Sequence, residues 1–181
     1  MKLTKGIKMP DFTYLSPYAE GGQSFEAFAN GKKTFVVFLR YYGCTVCRLD
    51  LHLYAQRMKE FADKDCQLMV VLQSDPNLVK DEAPVGTFPF EIACDPTQAV
   101  YKKFDIEPAK SMLAMIGGGL FKALKKMKAA KAFGFEHGEY EGNEQQLPAI
   151  VLVNENGIIT YSHYAKNLVD MPGIDDMLAM V

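Results

Sequence analysis

The residues best suited to chemistry are two cysteines three positions apart, Cys44 and Cys47. They follow an apolar run, 34–39, that predicts a buried strand, and they open a pattern that predicts an amphipathic helix over 45–63. A helix N-terminus offers unpaired N–H groups and partial positive charge, which stabilise a thiolate. The sequence therefore predicts Cys44 as an attacking thiolate and Cys47 as the thiol that resolves a mixed disulfide.

Two arginines flank this pair and predict a positive environment for it. Arg48 follows the second cysteine, and Arg40 ends the predicted strand. Thr45 lies between the two cysteines and, like the two arginines, is predicted to support the site.

Other uses of the cysteines stay open at this stage. The pair forms half of a zinc site if two more ligands exist, but Cys66 and Cys94 lie far apart and the three histidines show no paired spacing. The pair also fits two inert buried thiols. Cys66 and Cys94 are interpreted as packing residues, with a resolving role as the alternative.

Composition limits the classes of function. The chain has 181 residues, about half of them apolar, and a net charge of -2. This predicts one domain over 1–181 and no nucleic-acid partner. No apolar run is long enough to span a bilayer, and the basic N-terminus has no apolar signal region behind it. The default location is the cytoplasm, where disulfides do not persist as structural links.

The order of elements predicts an α/β fold with a central sheet flanked by helices. Strands are expected at 11–15, 67–72 and 88–92, and a closing hairpin turns at Asn156-Gly157. Asp95-Pro96 predicts a cap and first-turn proline for a helix ending near Phe104.

Residues 112–135 predict a mostly helical insertion before that hairpin, with five lysines between 120 and 131. The lysines fit a solvated helix face whose apolar side packs on the domain. The alternatives are a docking surface for an acidic partner, a lid over the cysteines, and a membrane-surface helix.

Several segments together resemble the alkyl hydroperoxide reductase and thiol-specific antioxidant group of peroxiredoxin-like proteins, which have a thioredoxin-like fold. The segments are Pro10–Phe12, Phe38–Arg48, Phe88–Phe90, Cys94–Pro96, Tyr101–Phe104 and Leu147–Val153 with Asn156-Gly157. The resemblance implies a mixed central sheet and antioxidant thiol chemistry. It also implies that Pro148 is a cis-proline facing the cysteine pair across the site.

The sequence departs from that group at the reactive centre. Peroxiredoxins carry a proline and a threonine seven and three residues before the reactive cysteine. Arg40 and Cys44 hold those positions relative to Cys47, and no arginine follows Arg57 to orient a peroxide.

The leading hypothesis is a thiol–disulfide oxidoreductase that uses the Cys44–Cys47 couple without a metal or organic cofactor. Its expected partners are a protein or small-molecule disulfide, or a hydroperoxide, and an external thiol reductant. The alternatives are a thiol peroxidase, in which a cysteine becomes a sulfenic acid, and a non-catalytic redox sensor or binding module.

Overall fold

A computed structural model describes all residues 1–181, and its strands form a single seven-stranded sheet. In chain order they are β1 (Thr13–Leu15), β2 (Gly22–Ser24), β3 (Lys33–Phe38), β4 (Cys66–Leu72), β5 (Glu91–Cys94), β6 (Ala149–Val153) and β7 (Ile159–Tyr164). Across the sheet the order is β2-β1-β5-β4-β3-β6-β7. Strands β3, β4 and β5 pair in parallel and the other pairs are antiparallel, which confirms the expected mixed sheet.

Seven helices surround this sheet. They are α1 (Phe25–Ala29), α2 (Thr45–Ala62), α3 (Pro76–Glu82), α4 (Ala99–Lys103), α5 (Met112–Ile116), α6 (Leu120–Ala132) and α7 (Ile174–Leu178). A 3-10 turn at Gly117–Gly119 joins α5 to α6.

The central strands are apolar on both faces because both faces are covered. Alternate side chains of a strand point to opposite sides. Phe35 and Val37 of β3 lie in one core with α2, while Val36 and Phe38 lie in a second core with α4. This burial explains why 34–39 is a continuous apolar run rather than an alternating one.

The start of α4 differs from the sequence-based expectation. Pro96 lies in the turn before the helix, and Gln98, in the left-handed region at φ 58°, precedes its first residue. Asp95 still caps the helix, since its carboxylate accepts the N–H groups of Ala99 at 3.0 Å and Val100 at 2.8 Å. The capping chemistry was therefore right and the proline position was wrong.

The insertion at 112–135 is helical, as expected. Its longer helix, α6, packs against α2, and a 2.7 Å ion pair joins Lys126 to Asp50 of α2. No helix in the chain combines the length and the apolar character needed to cross a membrane.

Candidate active site

Cys44 lies where the chain leaves β3 and enters α2. It is the N-cap residue of α2, with an extended backbone. Its sulfur accepts a hydrogen bond from the backbone N–H of Cys47 at 3.4 Å. A residue in this place sits against the positive end of an 18-residue helix, so a negative sulfur is stabilised there.

Arg40 supplies a second positive contact to the same sulfur. Its Nη2 donates to Cys44 Sγ at 2.8 Å, while Nη1 donates to the Glu144 carbonyl oxygen at 2.5 Å. Nη1 also lies 3.7 Å from Met115 Sδ. The guanidinium is buried and held on two sides, so its position beside the sulfur is fixed.

One donor of this guanidinium is unused. Arg40 Nε is a buried side-chain nitrogen without a hydrogen-bond partner. In the planar guanidinium, Nε–H and Nη2 share one edge, and Nη2 contacts the Cys44 sulfur. The free Nε–H therefore lies on the same edge of the guanidinium as the group that contacts the Cys44 sulfur.

The pKa values of the two cysteines are shifted in opposite directions. A hydrogen bond from the Cys47 thiol, the Arg40 charge and the helix N–H outweigh burial and lower the pKa of Cys44 to about 6. Burial, followed by the Cys44 sulfur, raises the pKa of Cys47 well above its usual range. The surroundings therefore favour the thiolate form at Cys44 and the protonated form at Cys47.

A polar segment, residues 136–146, crosses the loop before Cys44, and we call it the strap. Gly138 N–H donates to the Gly43 carbonyl at 2.8 Å. A Cβ on Gly43 would lie 2.2 Å from the Glu139 carbonyl oxygen, so only glycine permits this approach. The sequence shows this segment only as a polar loop, and its contact with the site comes from the fold.

The strap also contributes a histidine to the neighbourhood of the site. Tyr41 Oη and His137 Nε2 are 3.0 Å apart, and His137 Nδ1 lies 2.8 Å from the Gly138 carbonyl. Because a carbonyl only accepts, Nδ1 carries the hydrogen, and in the neutral ring Nε2 accepts from the tyrosine. This bond ties the strap to the residue that follows Arg40.

A cavity of about 430 Å³ opens beside the two sulfurs. Its wall includes Arg40, Cys44, Cys47 and Pro148, with further surface from α2, α6 and residues 168–176. Ten of its 18 lining residues are hydrophobic, so it suits a small, partly apolar molecule.

Pro148 lines this cavity, but its expected cis conformation is wrong. The structure contains no cis peptide bond, so Leu147–Pro148 is trans. The Pro148 carbonyl accepts from Ala165 N–H at 3.0 Å and continues the pairing of β6 with β7. The chain therefore enters β6 already extended, which suits the intrinsically favoured trans form.

The structure does not bring Arg48 to the sulfurs. Its guanidinium pairs with Glu82, donates from Nε to the Tyr42 carbonyl at 3.1 Å and lies over the Tyr42 ring. Thr45 is buried as the first residue of α2. Of the two flanking arginines, Arg40 contacts Cys44 and Arg48 does not. No group of three or more His, Cys, Asp or Glu side chains is arranged to hold a metal ion.

Comparison with solved structures places this fold among peroxiredoxins. A reduced 2-Cys peroxiredoxin of Plasmodium vivax matches with a TM-score of 0.67 at 15% identity, covering 97% of this chain and 79% of that one. A yeast mitochondrial 1-Cys peroxiredoxin matches with a TM-score of 0.67 at 12% identity, covering 98% and 74%.

A third match comes from a different redox class. A putative thiol:disulfide interchange protein, DsbE, of Chlorobium tepidum matches with a TM-score of 0.58 at 18% identity. This match covers 99% of this chain and 94% of that one.

The sequence itself carries the family signal. No curated protein sequence matches the chain. The model of the AhpC/TSA family, however, matches residues 6–162, which is most of this chain. The chain therefore belongs to the AhpC/TSA family and is a thiol-dependent oxidoreductase of peroxiredoxin-like type.

Proposed function

We propose that the chain reduces a small hydroperoxide by cycling Cys44 and Cys47 between a dithiol and a disulfide. The observation that carries this proposal is the Arg40 guanidinium, which donates one N–H to the Cys44 sulfur at 2.8 Å and keeps a second N–H free. The first donor stabilises the thiolate. The second suits a peroxide oxygen as it gains negative charge.

The steps balance with these two residues and an external thiol. The Cys44 thiolate attacks the terminal peroxide oxygen, an S–O bond forms as the O–O bond breaks, and the leaving oxygen takes a proton. The products are an alcohol or water and a Cys44 sulfenic acid. Cys47 then attacks that sulfur and releases water as the disulfide forms. Two thiol equivalents from the external reductant restore the dithiol.

Burial supports a small substrate. Cys44 is only 1% exposed and Cys47 is 4% exposed. A disulfide in a folded protein cannot reach a sulfur so enclosed without moving the surrounding segments. A small molecule reaches it through the cavity of about 430 Å³.

Rapid-mixing measurement of thiol oxidation by hydrogen peroxide tests the proposal. We expect the native chain to react at least about 100-fold faster than free cysteine at pH 7, with Cys47→Ser retaining the first step and accumulating sulfenic acid. Cys44→Ser is expected to lose the fast phase. A rate no greater than that of free cysteine would rule out a dedicated peroxidase.

A second candidate is reduction of a small disulfide by the same couple, which the spacing of the two cysteines favours. Oxidised glutathione serves as the probe and insulin as the large-substrate control. Rapid exchange with the first, together with slow peroxide oxidation, would support this candidate. Catalysed reduction of insulin would contradict the size argument.

The sensor alternative from the sequence makes a different prediction. A sensor requires a reversible disulfide between the same two cysteines but no repeated turnover of a substrate. Repeated cycles of peroxide consumption with dithiothreitol as the reductant would exclude a purely sensing role.

A further inference from the structure

The inserted helix α6 buries small side chains and exposes large ones. Ala130 is the fully buried side chain of this helix, and Gly119, the residue before its first turn, is also buried. By contrast, Phe121 is 87% exposed and Leu124 is 58% exposed. Other exposed apolar residues of the same segment are Met112, Leu113, Leu120 and Phe133. The prediction that the apolar side of this helix packs on the domain therefore holds for its small residues, whereas its large apolar residues are exposed.

The same segment is strongly basic. Residues 108–135 contain six lysines and no acidic residue, whereas the rest of the chain holds all 22 acidic residues against 14 basic ones. Lys126 is paired with Asp50, but Lys125 and Lys128 are exposed and make no ion pair. Positions 121, 124, 125 and 128 are three or four residues apart, so these side chains share one helix face.

We propose that this face of α6, defined by Phe121, Leu124, Lys125 and Lys128, docks on an anionic lipid surface. Lysines interleaved with exposed phenylalanine and leucine suit the boundary between charged headgroups and acyl chains. The cores of protein–protein interfaces, in contrast, are depleted in lysine. The helix has 13 residues and lies in the surface rather than crossing it.

Vesicle co-sedimentation of the full chain tests the docking surface. We expect binding to vesicles of phosphatidylcholine with 30 mol% phosphatidylserine, taken as roughly a physiological anionic content, and weakening with added salt because the attraction is screened. Vesicles of phosphatidylcholine alone should leave the protein in the supernatant. Lys125→Ala with Lys128→Ala is expected to weaken binding at least about 20-fold.

Matched variants separate a local surface from a general charge effect. Lys32→Ala with Lys80→Ala removes the same charge from other exposed positions and should leave binding within about twofold. Phe121→Ser should weaken binding about tenfold, whereas Val85→Ser, at a side chain 75% exposed elsewhere, should not.

Equal sedimentation with anionic and neutral vesicles, or equal losses in both lysine pairs, would overturn the proposal. The proposal would also be overturned if vesicles fail to bind and sedimentation velocity shows self-association that Phe121→Ser abolishes. None of these residues contacts the thiol site, so peroxide oxidation should proceed unchanged in every variant. Failure of lipid binding is thus distinct from failure of the proposed function.

Discussion

Cys44 and Cys66 are both buried thiols at opposite ends of the same parallel strand pair, yet their acidities differ widely. Cys66 opens β4 beside Lys33, and its thiol contacts the Gln67 carbonyl at 3.6 Å. Burial raises the pKa of Cys66 to about 11, whereas the surroundings of Cys44 lower the pKa of Cys44 to about 6.

The difference shows that burial alone does not set the acidity of a cysteine in this fold. Both side chains are almost fully buried. The end of β3 adds a helix N-terminus and an arginine, and the start of β4 adds neither. At pH 7 a thiol with a pKa near 6 is about nine-tenths ionised, whereas an ordinary thiol is a few per cent ionised.

The largest expected effect comes from exchanging sulfur for oxygen at each site. Cys44→Ser should lower the peroxide oxidation rate by about 1000-fold or more, because the nucleophile is lost. Cys66→Ser and Cys94→Ser should change it less than about twofold, since their pKa values are raised and neither lines the cavity. Equal losses of the oxidation rate in Cys44→Ser and Cys66→Ser would contradict the proposed difference between the two thiols.

The next effect should come from Arg40. Arg40→Met keeps the side-chain length and removes the charge, so the pKa of Cys44 should rise and the rate at pH 7 should fall about tenfold or more. In the native chain the rate should rise with pH through about 6 and then level off. In the variant that rise should move to higher pH.

Arg40→Lys is the matched control, since it restores the charge but not the planar fork of donors. It should recover part of the thiolate without the full rate. An unchanged pH profile in Arg40→Met would show that the helix N-terminus alone sets the acidity of Cys44.

A smaller effect is expected from the contact between the strap and the loop before Cys44. Gly43→Ala forces a Cβ against the Glu139 carbonyl, so unfolding free energy should fall by about 1–3 kcal/mol. Gly118→Ala, where a Cβ meets nothing within 4 Å, should be nearly neutral. Urea unfolding measures both, and equal stabilities would contradict the packing described for the strap.

The smallest effect should come from Arg48. Arg48→Met removes the ion pair with Glu82 and the hydrogen bond to the Tyr42 carbonyl, and should cost about 1–2 kcal/mol of stability without a change at the thiol. The pKa of Cys44 should stay the same, since Arg48 does not touch its sulfur. A shift as large as that of Arg40→Met would mean that overall charge, rather than contact, controls the thiol.

Most of the sheet and the position of the thiol pair follow from sequence patterns. The run at 34–39 and the helical spacing after Cys44 each predict one element without reference to the rest of the chain. Short β2 was missed, because Gly22–Ser24 has no apolar alternation and becomes a strand only by pairing with β1.

The details of the site depend on contacts that a local pattern does not contain. Arg40 is held by the carbonyl of Glu144, 104 residues later, and Tyr41 is tied to His137, 96 residues later. From spacing alone, Arg40 and Arg48 look equivalent beside the cysteines. The fold separates them by placing Glu82 next to one and the Cys44 sulfur next to the other.

Site-resolved alkylation measures the central contrast most directly. Iodoacetamide labelling of the reduced chain, quantified for each cysteine by mass spectrometry, gives the acidity and reactivity of all four thiols together. A range of about pH 4–10 starts roughly two units below the expected Cys44 midpoint and ends above ordinary thiol ionisation. We predict that Cys44 is labelled first, with a midpoint near pH 6, while Cys47, Cys66 and Cys94 stay unlabelled at neutral pH. Labelling of Cys47 before Cys44, or a Cys44 midpoint above pH 8, roughly that of an unperturbed thiol, would contradict this assignment.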